Sequence, residues 1–76
     1  MVQPGIWEHY KGGRYEVVLN ALLENDERPA VVYRALYSND KSEYWIRTEQ
    51  DFLAEVEVNG QSMPRFKLVE AHDQDL

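Results

Sequence analysis

Eight side chains in this sequence carry chemistry that close neighbours could put to use: His9, Tyr10, Lys11, Arg14, Tyr33, Arg34, Trp45 and Arg47. They belong to a recurrent pairing of a cation with an aromatic ring. Lys11 follows Tyr10, Arg14 adjoins Tyr15, and Arg34 follows Tyr33 with Tyr37 three residues on. Arg47 stands two residues after Trp45, and Arg65 precedes Phe66. A guanidinium grips carboxylate or phosphate through a bidentate fork and also stacks on aromatic faces. If Arg14, Arg34 and Arg47 line one concavity with Tyr33 and Trp45, they make a binding site for a small anionic or planar ligand or a peptide. The competing use is structural. Fourteen acidic residues are available as partners, cross-strand Arg–Glu pairs are ordinary on sheets, and arginine stems cover rings simply as packing.

Other chemistries find little to build on. The chain has no cysteine, which excludes disulfides, thiolate metal sites and a Cys nucleophile. The only histidines are His9 and His72, too few for a metal site without carboxylates, so no metal and no cofactor are expected. His9 beside Tyr10 could act as a general base, the basis for an alternative reading as a small enzyme. No catalytic residue is assigned, because no Ser stands in a nucleophile-elbow context and no carboxylate pair sits in an apolar setting. Lys11-Gly12-Gly13 lacks the spacing of a phosphate loop and reads as a tight turn.

Charge narrows the partners. The formal net charge is −6, and the residues after Ser38 carry nearly all of it. Such a surface repels phosphate backbones and argues against nucleic acid as a partner, although Arg–aromatic interleaving suits stacking on single strands. The longest apolar runs are about four residues, where a membrane span needs roughly 20. With no signal peptide at Met1–Gly5, a cytoplasmic protein without membrane contact is expected. A protein partner is the third functional reading, an adaptor working through an exposed strand edge, and the chain is expected to be a monomer or weak homodimer.

The elements that must position these residues are strands. From Tyr15 the alternation runs Tyr15, Val17, Leu19 on one face against Glu16 on the other, which predicts a half-buried strand. Ile6–Tyr10, Ala30–Tyr37, Tyr44–Arg47, Glu55–Val58 and Ser62–Leu68 also read as strands. Thr48 is placed to cap one helical turn, with Asp51 at the reciprocal position of a capping box. Asn59-Gly60 predicts a type I′ hairpin. The expected fold is mostly β: a small five-stranded SH3-like barrel with one short helical turn before the last hairpin. A half-open sheet with one helix packed on it is the alternative. The expected core is Tyr15, Val17, Leu19, Val56, Val58, Phe66 and Leu68. Residues 1–68 make a single domain and residues 69–76 an acidic, flexible tail.

Four segments in order, His9-Tyr10-Lys11-Gly12-Gly13-Arg14-Tyr15-Glu16-Val17, Val32–Tyr37, Trp45-Ile46-Arg47 and Pro64-Arg65-Phe66, give the chain a family likeness. It resembles a family of short bacterial proteins of unknown function, with Thr48 where many members have Pro. The resemblance implies a bacterial origin and a compact β fold. It implies no catalytic residues, and it draws attention to the same eight side chains. The leading reading is a small non-enzymatic binding module.

Overall fold

A computed structural model describes residues 1–72. Seven strands and one helical turn follow in order: β1 (Gly5–His9), β2 (Arg14–Leu22), β3 (Pro29–Ala35), β4 (Tyr44–Thr48), α1 (Glu49–Phe52), β5 (Glu55–Val58), β6 (Gln61–Pro64) and β7 (Phe66–Ala71). The fold is mostly β, as the alternation predicts. Five strands form one antiparallel sheet in the order β4-β3-β2-β1-β7, and β5 and β6 form a separate hairpin. The sheet is not closed into a barrel, because β4 and β7 end it as free edges. Among the described residues no helix is long and apolar enough to cross a membrane.

The turns follow their residues. Asn59 and Gly60 both adopt positive φ, 51° and 78°, and Val58 pairs with Gln61 across them, the geometry of a type I′ turn. Thr48 caps α1 by accepting the Asp51 N–H at 3.1 Å. Asp51 does not complete a capping box. Its carboxylate is taken by Arg47 at 2.8 Å and Arg65 at 3.5 Å.

Phe52, at the end of α1, is fully buried and stacks on Phe66 with ring centroids 4.1 Å apart. Trp7, Tyr15 and Tyr33 pack around this pair, mostly edge-on, and Val2, Val17 and Val31 complete the core. We call the face of the sheet that α1 covers the inner face, and the opposite one the outer face.

Two expectations about the core fail for identifiable reasons. Leu19 is 47% exposed. A bulge between Val17 and Leu19 in the β2–β3 register inserts one residue and inverts the alternation beyond it. Asn20 turns inward instead, and its amide both accepts from and donates to the Val2 backbone at 2.9 Å. The expected strand Ser62–Leu68 is two strands. It breaks at Arg65, whose backbone N–H bonds Ala54 and whose carbonyl accepts from Tyr10. β6 therefore stays with β5 while β7 crosses to β1, leaving Leu68 38% exposed and Val56 and Val58 half-buried. Strand β7 continues to Ala71. Gly5, at φ 149°, lets it approach, since a Cβ there would lie 2.3 Å from the Glu70 carbonyl. Residues 73–76 of the expected tail lie outside the described residues.

Candidate functional site

The registers decide which cations meet which rings. Trp7 pairs with Tyr15, Tyr15 with Ala35, Val17 with Tyr33, Tyr33 with Trp45, and Val31 with Arg47. Cross-strand partners share a face, so Tyr15, Tyr33, Trp45 and Arg47 all stand on the inner face. Arg14 pairs with Glu8, and Arg34 with Glu16 and Tyr44. These stand on the outer face. The three arginines therefore do not converge, and the expected concavity of Arg14, Arg34 and Arg47 does not form. Successive side chains on a strand point to opposite faces, so Arg14 next to Tyr15 and Arg34 next to Tyr33 are divided by the sheet itself. Trp45 and Arg47, two apart, stay together.

On the outer face each arginine is neutralised locally. Arg14 Nε lies 3.3 Å from Glu8 Oε1, and Arg34 Nε 2.7 Å from Glu16 Oε1, with Glu43 at 3.6 Å from Nη1. A shallow hollow of about 470 Å³ lies between Arg34, Glu43 and residues 35–39. It is the larger of two neighbouring hollows, but it is wide open and its arginine is already held by two carboxylates.

A tighter cleft of about 360 Å³ lies on the inner face, lined by Tyr15, Tyr33, Tyr37, Trp45 and Arg47, with Asn39, Asp40 and Lys41 from the β3–β4 loop. Its geometry is set by a hydrogen-bonded chain. Arg47 Nε donates to the Tyr33 hydroxyl at 3.3 Å and Nη1 to Asp51 at 2.8 Å, while its guanidinium carbon lies 5.8 Å from the Phe66 ring centroid. The hydroxyls of Tyr15 and Tyr37 bond each other directly. Burial, then the bond to Tyr37, pushes the Tyr15 phenol up to about 12, so it stays protonated at neutral pH. Lys41 makes no ion pair among the described residues. The Trp45 indole N–H is buried and meets no acceptor among them, a deficit that costs about 1–3 kcal/mol. The cleft thus offers aromatic walls and one unpaired ammonium, with the indole donor sealed behind the wall.

The remaining candidates lie elsewhere. His9, Tyr10 and Lys11 sit at the turn between β1 and β2. His9 Nδ1 accepts the Lys11 backbone N–H at 3.1 Å, the His9 ring stands edge-on to Phe66 at 5.0 Å, and Lys11 Nζ lies 5.7 Å from the Tyr10 ring centroid. Burial, then Arg47, Arg65 and Lys11, holds the His9 pKa below its usual 6.5. His9 shares a separate hollow with Glu8, Tyr10 and Lys67, and among the described residues no carboxylate pairs with it. Among the described residues no group of three or more His, Asp or Glu side chains could hold a metal ion.

Sequence reasoning missed Tyr15, Tyr37 and Lys41 as cleft residues. Period-2 parity would have found Tyr15, which shares a face with Tyr33 and Trp45 once the strands pair. Tyr37, Asn39 and Lys41 come from a loop whose path has no periodic signal.

A family model described as "Protein of unknown function (DUF1653)" matches residues 5–68. A crystal structure of a DUF1653 protein from Bordetella bronchiseptica is similar over 97% of this chain and 95% of that one, with a TM-score of 0.86 and 26% identity. No curated protein matches the chain.

Proposed function

The chain belongs to the DUF1653 family of proteins of unknown function, and on that premise we propose that it is a small binding module for a planar anionic ligand. The ligand enters the inner-face cleft between Tyr37, Trp45 and the β3–β4 loop. The observation that carries this reading is one cleft that gathers three tyrosines and Trp45 as aromatic walls beside Lys41, whose ammonium makes no ion pair among the described residues. An aromatic ring is the natural filling for such walls. A carboxylate or phosphate oxygen answers the ammonium of Lys41. Arg47 acts less as a free cation than as the brace between Tyr33 and Asp51.

Thermal shift against nucleoside monophosphates and aromatic carboxylates tests the reading. A true ligand at about 100 times its Kd stabilises the fold by about 2.7 kcal/mol. For a domain of this size that raises Tm by roughly 10 °C or more. Lys41→Ala weakens the shift, and Trp45→Ala, which removes an aromatic wall, weakens it further. A flat response across both ligand classes contradicts the reading.

A further inference from the structure

The free edges of this molecule are not alike. Edge strands present unpaired N–H and C=O groups and are usually guarded by charge, proline or a bulge. Strand β7 carries Lys67 and Glu70, and its pairing with β1 is interrupted at Ile6/Trp7. In the separate hairpin, β5 carries Glu55 and Glu57, and β6 ends in Pro64. Strand β4, Tyr-Trp-Ile-Arg-Thr, has none of these on its outward-facing positions and pairs with β3 without any irregularity.

The hydrogen-bond parity of β4 is fixed by its first bond, Ala35 N–H to the Glu43 carbonyl at 2.9 Å. Antiparallel residues alternate between bonded and non-bonded pairs. Trp45 and Arg47 therefore spend their backbone groups on β3, while those of Tyr44 and Ile46 point off the edge. The Tyr44 carbonyl agrees with this, since it is free to accept the Ser42 hydroxyl at 2.6 Å. The same two residues expose their side chains, Tyr44 by 54% and Ile46 by 64%.

We propose that β4 is a homodimer interface, on which a second copy of this chain adds its own β4 antiparallel to form one continuous sheet across a two-fold axis. The register follows from the parity. Ile46 stands opposite Ile46 of the second copy, exchanging both backbone bonds, and Tyr44 stands opposite Thr48. Trp45 then meets Arg47 of the second copy in a non-bonded pair, where side chains approach most closely. No opposition is unfavourable: exposed Ile46 meets Ile46 and Tyr44 meets Thr48 across the outer face, and on the inner face Trp45 meets the stem of an Arg47 whose charge is already held by Asp51. No like charges meet within the strand. The interface is isologous, so it closes at two copies. Five residues make a short edge, and the association is concentration-dependent rather than obligate. The proposal does not depend on the cleft binding any ligand.

Sedimentation across a concentration series tests it. The native chain shifts toward twice its 9.0 kDa mass as concentration rises. Ile46→Lys sets two ammonium groups face to face and holds the chain at monomer mass, while its thermal melt matches the native one at concentrations where both are monomeric, because Ile46 is 64% exposed. Val69→Lys, on the guarded β7 edge, leaves the dimer intact. Amide exchange at Tyr44 and Ile46 slows with concentration in the native chain and not in Ile46→Lys. A native chain that stays monomeric at every concentration overturns the proposal and leaves the edge to an extended peptide of another protein. A dimer that survives Ile46→Lys, or one broken by Val69→Lys, overturns it as well.

Discussion

The two faces of the main sheet use the same residue types to opposite ends. On the outer face, Arg14 and Arg34 each lie against a glutamate one strand away, Arg14 exposed and Arg34 partly buried, and each is spent on carboxylates alone. On the inner face Arg47 is half-buried, spends Nε on Tyr33 and Nη1 on Asp51, and lies over Phe66. The two tryptophans repeat the contrast within one face. Trp7 Nε1 donates to the Gln3 carbonyl at 2.9 Å, whereas Trp45 Nε1 is buried with no acceptor among the described residues. An aromatic–cation pairing in a sequence is therefore not yet a site. What matters is whether the fold leaves its polar groups committed or free.

The largest effect should come from the aromatic stack beneath the cleft. Phe52→Ala removes a fully buried ring stacked on Phe66 and should cost about 3–5 kcal/mol, read by urea denaturation. A loss below about 1 kcal/mol would mean that α1 does not hold the inner face. Asn20→Ala comes next. It strips two bonds from the Val2 backbone and should cost about 1–3 kcal/mol, again in urea. Arg34→Gln on the outer face should cost about 1 kcal/mol in the same assay, because its pair with Glu16 is only partly buried and that with Glu43 is exposed. Arg47→Gln should cost clearly more than Arg34→Gln, since it leaves Asp51 with only its longer contact to Arg65. Equal losses for the two arginines would erase the distinction between the faces.

The smallest effect is one of pH. The His9 pKa is lowered in the fold, by burial first and then by Arg47, Arg65 and Lys11. The unfolded chain therefore binds more protons at this position than the folded one. The stability contributed by neutral His9 is complete above about pH 6.5 and is lost as pH falls through the depressed folded value. His9→Asn keeps an acceptor for the Lys11 N–H, and should lose less stability than the native chain on acidification from neutral pH. An unchanged slope in thermal melts would show that His9 is not held neutral by its neighbours.

Much of the fold was legible in the residues. Asn59-Gly60 specifies its turn, Thr48 its cap, and alternation sets the strands up to Val17. The bulge after Val17 was not legible. Nothing in Val17-Val18-Leu19 marks which residue is the extra one, and so the alternation puts Leu19 inside where Asn20 belongs. Nor could local pattern show that Arg65 divides the last strand, because the bonds that divide it come from Ala54 and Tyr10. Val2 and Phe52 escaped the expected core for the same reason. Their burial depends on where a terminus and a single helical turn dock. For the site, sequence adjacency misled and parity would have served. Trp45 and Arg47 at spacing two were kept together, while Arg14 and Arg34 were separated from the rings beside them.

The most direct test of the cleft compares the two indoles by nuclear magnetic resonance in the native protein. Titrating a nucleoside monophosphate or an aromatic carboxylate should shift the Trp45 indole resonances as the ligand ring packs against that wall. The Trp7 indole, already bonded to Gln3, should stay in place. Ligand-induced shifts confined to Trp7, or to the outer-face residues around Arg34, with Trp45 unmoved, would contradict the account.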